Sequence, residues 1–246
     1  MKSKLFIFSN SDKILPIKVK LKFMYEQNIS EVKTTYGTDF YSKVYFFFGL
    51  AVATSGLGAY LGLNYLTSYF LASPTFTYIL FATELILIFT AKLWSQRVPL
   101  NYLLFIAFAF ITGLTLVPIL AYVTVTGGMG LVIKALIVTS LMFGSCAIFG
   151  ATTHVNLQGI RGFLTMSLIG MIIVSIVGIF LPWGDVFEMI FSGFGVLVFS
   201  GFVMYDIQKL KTYPENMYID AALQLYLDIF NLFLYILRLL SAFSRR

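Results

Sequence analysis

The sequence predicts an all-α polytopic membrane protein, a bundle of seven helices. Of its 246 residues, 59% are hydrophobic and only 11% charged, with a mean hydropathy of +0.89. A soluble domain carries about 25% charged residues and could not cover its surface with so few. Six apolar runs are long enough to cross a hydrocarbon core about 30 Å thick, which takes roughly 17–25 helical residues. A seventh run has the same length but is interrupted by polar residues. The alternating ten-residue segments of a membrane β-barrel do not occur in this pattern. The composition excludes a soluble enzyme, a disordered chain and a secreted disulfide scaffold. Cys146, the one cysteine, cannot form an internal disulfide.

The elements follow in chain order. Residues 1–43 form a basic tail with eight lysines: Lys2, Lys4, Lys13, Lys18, Lys20, Lys22, Lys33 and Lys43. It reads as a solvated cytosolic segment beside a membrane, or as one that touches anionic lipid. The run Leu5-Phe6-Ile7-Phe8 is too short for a signal-peptide core. The amino end is therefore expected to be retained and cytosolic. The membrane domain covers 44–241, with spans at 44–66, 76–94, 100–122, 131–150, 163–181, 187–206 and 222–241. A short tail, 242–246, follows. Ser73-Pro74, Gly127-Gly128 and Pro182-Trp183-Gly184 punctuate the spans, and Pro118 interrupts the third. In span one, Ala51, Ser55 and Ala59 recur every four residues, as do Gly58 and Gly62. Small residues at that spacing let helix backbones approach closely, for packing within the bundle or for dimerisation.

Loop charges set the expected orientation, because cytosolic loops collect Lys and Arg. With the amino end inside, the inner segments hold the eight tail lysines, Lys92, Arg97, Arg161, Lys209 and Lys211. On the outer side only Lys134 appears, just within span four, where it can snorkel to the surface. Asp185 and Glu188 fall outside. The seventh segment stays open: a full crossing puts Arg245 and Arg246 outside against the charge bias, whereas a re-entrant segment keeps them inside.

Ionisable side chains within a bilayer are costly, at about 2.5–3.5 kcal/mol each on insertion scales, and they usually face the bundle interior. Three stand out: Glu84 in the middle of span two, Asp206 closing span six, and Asp228 in the last segment. In that segment Gln224, Asp228, Asn231, Tyr235 and Arg238 are spaced 4, 3, 4 and 3, which puts them on one helical face. The helix either turns this stripe into a bundle or lies flat at the interface. An interfacial helix is rich in Lys and Arg on its polar face, and this stripe has one acid and one Arg, so the buried helix is the better reading. Asp206 can be a solvated acid at a helix end, and Asp228 a structural acceptor for Arg238 or a hydroxyl. Alternatively the two act together: close carboxylates in a poorly solvated site cannot both ionise cheaply and titrate as a unit. Carboxylate oxygens are also natural Ca²⁺ ligands.

The stretch Tyr205-Asp206-Ile207-Gln208-Lys209-Leu210, followed by the block Ala222–Leu234, resembles the signature of the Bax inhibitor-1 family, also called the transmembrane Bax inhibitor motif family. Gly113-Leu114-Thr115-Leu116 is similar to its third-helix motif. The resemblance covers 44–241 and is nearest to bacterial members. It implies seven helices with the last one central, and a pair of aspartates serving as pH sensor in a calcium-permeable leak pathway. The matching positions are Asp206 and Asp228, which would also be the ligands of any calcium bound there; no other cofactor is implied. The resemblance further implies a basic latch near the inner end of span two, with Lys92 and Arg97 as candidates. Where close relatives carry a Thr-Lys-x-Asp-like loop between spans four and five, this chain has Thr153-His154-Val155-Asn156, without either charge.

Two functions compete at this stage. One is a pH-sensitive calcium leak channel, with Glu84 on the ion path or bonded to a facing helix. The other is a non-transporting regulator that binds a membrane protease or another integral partner. Expected partners are the lipid bilayer and calcium, with no nucleic acid. The expected location is the inner (plasma) membrane if the source is bacterial. An enzyme is not expected: His154 is the single His and sits in a loop, Cys146 has no His in its span, and 222–241 has no Lys for a retinal link.

Overall fold

The computed structural model describes residues 38–181 and 183–245. The described residues form seven helices in succession. These are α1 (Thr38–Phe70), α2 (Pro74–Phe89), α3 (Leu100–Gly127), α4 (Met129–Thr152), α5 (Arg161–Phe180), α6 (Asp185–Lys209) and α7 (Tyr218–Ser244). Short connections make neighbours antiparallel, so odd-numbered and even-numbered helices run in opposite directions. All but α2 and α5 exceed the length needed to span a hydrocarbon core by several residues. The lysine-rich tail, apart from the start of α1, lies outside the described residues, as does its reading as a retained cytosolic segment.

Local chemistry explains the breaks. Ser73 is extended (φ −149°) and Pro74 opens α2, where its missing N–H costs nothing. The second span is not one helix: α2 ends at Phe89, and after Thr90 a separate turn, Ala91–Trp94, follows. Pro118 breaks the α-helical ladder of α3 at Leu116, giving the segments Leu100–Thr115 and Val117–Gly127. Gly128, at φ +77°, then reverses the chain directly into α4. That left-handed conformation favours glycine.

The small residues of α1 serve packing inside the bundle. A Cβ on Gly58 would meet the Phe110 carbonyl at 2.5 Å, and one on Gly113 would run into the backbone of Ser55. Backbone therefore lies against backbone between α1 and α3. The core runs the length of α7. At one end Ile219, Leu223 and Tyr226 join Phe105 and Phe108; at the other Leu232, Ile236 and Leu237 join Val198 and Phe199. In the most apolar stretches of α3 and α7 56% of residues are buried, against 11% along α5, which faces outward.

The seventh segment runs the full length of the bundle. At 27 residues α7 is about 40 Å long. It starts where Tyr218 meets Tyr102, hydroxyl to hydroxyl at 2.8 Å, at the beginning of α3. It ends where Arg245 donates to Glu188 (3.0 Å) and to the Tyr122 hydroxyl (3.3 Å) and lies 3.4 Å from Asp185. Those partners belong to the start of α6 and the far end of α3. The re-entrant alternative is excluded by this geometry. Acids at the start of α6 meet the arginine that loop-charge counting treats as an anomaly.

Candidate functional site

Asp206 lies one turn before the end of α6, and Asp228 lies in the third turn of α7. Both are buried, at 7% and 5% exposure. The two carboxyl groups lie close enough for each to act on the other. Oδ2 of Asp228 is enclosed without a hydrogen-bond partner among the described residues. An enclosed carboxylate oxygen with no donor is costly, so the arrangement suits a group whose proton or ion comes and goes.

A cation closes the site on the end side. Lys209, one turn beyond Asp206, places Nζ 3.9 Å from Asp206 Oδ1. The same ammonium donates to Gln224 Oε1 (3.1 Å) on α7 and to the Tyr213 hydroxyl (3.3 Å) in the connection. It also rests 4.8 Å from the centre of the Tyr213 ring. Lys209 thereby ties α6 to α7 beside the aspartates. Burial, and then the charges of Asp206 and Asp220, push the Tyr213 phenol well above its ordinary range. It stays neutral and able to accept from Lys209. Arg161 adds a second positive charge acting on Asp206.

A family model described as "Inhibitor of apoptosis-promoting Bax1" matches residues 37–245. The chain belongs to the Bax inhibitor-1 family. An uncharacterised protein of Helicobacter pylori is 31% identical over 218 residues, 89% of each chain. The Escherichia coli inner membrane protein YbhL is 32% identical over 166 residues, 63% of this chain and 69% of YbhL. Bax inhibitor 1 of Schizosaccharomyces pombe is 29% identical over 169 residues, 68% of this chain and 62% of the yeast protein.

In this Bax inhibitor-1 family member the polar stripe of α7 divides. Gln224 and Asp228 reach the aspartate site. Asn231 turns back to its own helix, donating to the Leu227 carbonyl at 2.7 Å. Tyr235 packs against Gly195 and stacks on Phe199, with ring centres 5.6 Å apart. Arg238 lies 5.9 Å from the Tyr235 ring and lines a cavity of about 410 Å³ at the far end, with Glu188, Ser241 and Arg245. Glu84 is separate from the aspartates. It accepts from the Thr115 hydroxyl at 3.2 Å, which joins α2 to α3.

The two latch candidates do not reach the pair. Lys92 and Arg97 are exposed, and neither forms an ion pair with an aspartate among the described residues. The cation in place is Lys209, which the sequence offers as a member of the Tyr205–Leu210 motif and as a loop charge but not as a partner of the aspartates. Its signal was its position three residues after Asp206, which places both on one helical face. Gln208 was also missed. Its amide accepts from Leu157 N and donates to the Val155 carbonyl, both at 2.8 Å, and so clamps the loop between α4 and α5 to the end of α6.

Proposed function

We propose that this protein is a pH-sensitive calcium leak channel gated by Asp206 and Asp228 sharing one proton. The observation that carries the reading is the burial of these two carboxyls against each other where α6 meets α7. Two like charges in a low-dielectric site repel, and one proton between them relieves the repulsion. With that proton the two helices stay together. Without it the carboxylates repel, or they recruit Ca²⁺. Calcium takes 6–8 oxygen ligands, and the pair with the Gln224 carbonyl supplies few. Lys209 competes for the same oxygens. Such a site holds calcium weakly and suits passage rather than storage.

The inner membrane is the proposed location, supported by the name of the Escherichia coli relative. The amino end is proposed to be cytosolic on the loop-charge bias.

Calcium flux into liposomes containing the purified protein, at several pH values, tests the reading. Wild type should leak with a pH-dependent rate, and Asp206→Asn and Asp228→Asn should each flatten that dependence. A pH profile untouched by both substitutions in folded protein overturns the aspartate pair as sensor. No flux from wild type at any pH would instead favour a non-transporting regulator that binds an integral membrane partner.

A further inference from the structure

We propose that the slot between α1 and α4 binds one lipid acyl chain, which packs against α7 in the middle of the bundle. The slot is a cavity of about 390 Å³ lined by residues of α1, α3, α4 and α7. Along α4 it extends from Met129 to Ser140, about 16 Å at the rise of a helix. Its floor is Ile229, Phe230 and Phe233 of α7. The floor therefore belongs to the central helix, not to the outer wall.

The chemistry of the lining selects the occupant. Three of its hydroxyls are used within their own helices: Ser55 donates to Val52 O (3.0 Å), Thr139 to Ala135 O (2.7 Å) and Ser140 to Leu136 O (2.8 Å). Tyr226 adds one buried hydroxyl without a hydrogen-bond partner among the described residues. A buried water needs two to four polar partners, and this surface offers few. An apolar cavity of only about 150 Å³ stays dry and takes up benzene or xenon. The slot is more than twice that size, and leaving it empty forfeits the contacts of every side chain around it.

The position of the mouth decides which apolar molecule enters. Tyr60, Met129 and Leu136 stand on the rim and are 50–62% exposed on the outside of membrane-spanning helices. What meets them there is hydrocarbon. A long, narrow, apolar slot that opens sideways into hydrocarbon fits an acyl chain.

The test uses the full chain in nanodiscs of phosphatidylcholine carrying a photoreactive diazirine on one acyl chain. After irradiation, adducts are mapped by mass spectrometry. Adducts are expected on Ile229 and Phe230, well above the level at the fully buried Leu225 and Leu237 of the same helix. Gly56→Leu narrows the mouth into open space, since a Cβ there meets no atom within 4 Å. It should lower the α7 adducts several-fold and leave those at Ile172 and Ile173, on the outer face of α5, unchanged. The mapping of wild type stands whether or not the variant folds. Adducts confined to outward-facing residues, with α7 at background, would overturn the proposal. Cross-links from the slot to a second copy of the chain would overturn it too, in favour of an oligomer contact.

Discussion

Lys209 makes the aspartate pair more than two acids in a dry place. A cation beside a carboxylate favours its ionised form, and this one reaches Asp206 and Gln224 at once. Lys209→Gln keeps hydrogen-bonding capacity but removes the charge. The pair should then release its proton less readily, so the pH response of calcium flux should move to higher pH. Asp206→Asn and Asp228→Asn should flatten the response instead, so the three variants separate tuning from sensing. A Lys209→Gln profile that overlays wild type would show that the ammonium does not act on the pair. Ser192 offers a contrast. Its hydroxyl is fully buried and has no partner among the described residues. Such a group contributes nothing to offset its desolvation, so Ser192→Ala should leave the thermal midpoint in detergent unchanged, or raise stability by up to about 1 kcal/mol.

At the scale of helices, two glycines on α1 answer differently to the same chemistry. Gly58 lies against the backbone of α3, whereas Gly56 faces open space. Gly58→Leu should force α1 from α3 and cost about 1–3 kcal/mol or more. Gly56→Ala should gain about 0.5–1 kcal/mol from helix propensity alone. Thermal unfolding of the two variants beside wild type decides it, and equal midpoints would refute the close α1–α3 packing. The far end of α7 is held by Arg245 on Asp185 and Glu188. These groups are partly to largely exposed, and exposed ion pairs contribute about 0–1 kcal/mol. Arg245→Ala should therefore change stability little, and α7 should still cross, because its apolar burial and not this contact fixes its path.

For the whole molecule the open variable is which end faces the cytosol. The geometry places the connections near Arg97, Arg161 and Lys209 at one end and Gly184 with Arg245 at the other. With Cys146 replaced by Ser, a membrane-impermeant thiol reagent should label Gly184→Cys from outside intact cells. Arg97→Cys should label only after the membrane is opened. The reverse pattern would invert the molecule and move the aspartate site, which lies near the Lys209 end, to the outer side.

Apolar length, helical period and the aspartate motifs were determined by the sequence alone. The spans read from hydropathy recur as α1 to α7, the second cut short at Phe89, because each depends on a local run of side chains. The 4-3-4-3 stripe needed nothing beyond the period of a helix. Interactions between helices were not legible in this way. Lys209 lies beside Asp206 through the helical period of α6 alone, but the packing of α6 against α7 decides that the same ammonium reaches Gln224, while Lys92 and Arg97 stay away from the pair. The stripe on α7 looked continuous, yet its members meet different neighbours, because each faces whichever helix packs at its own level. The charge bias alone left the last segment open. Only the tertiary structure brings Asp185 and Glu188, some sixty residues away in the chain, against Arg245, and their attraction at that end removes the conflict. The slot beside α7 is likewise a property of packing: it exists because four helices fail to fill the space between them, and no single segment records that.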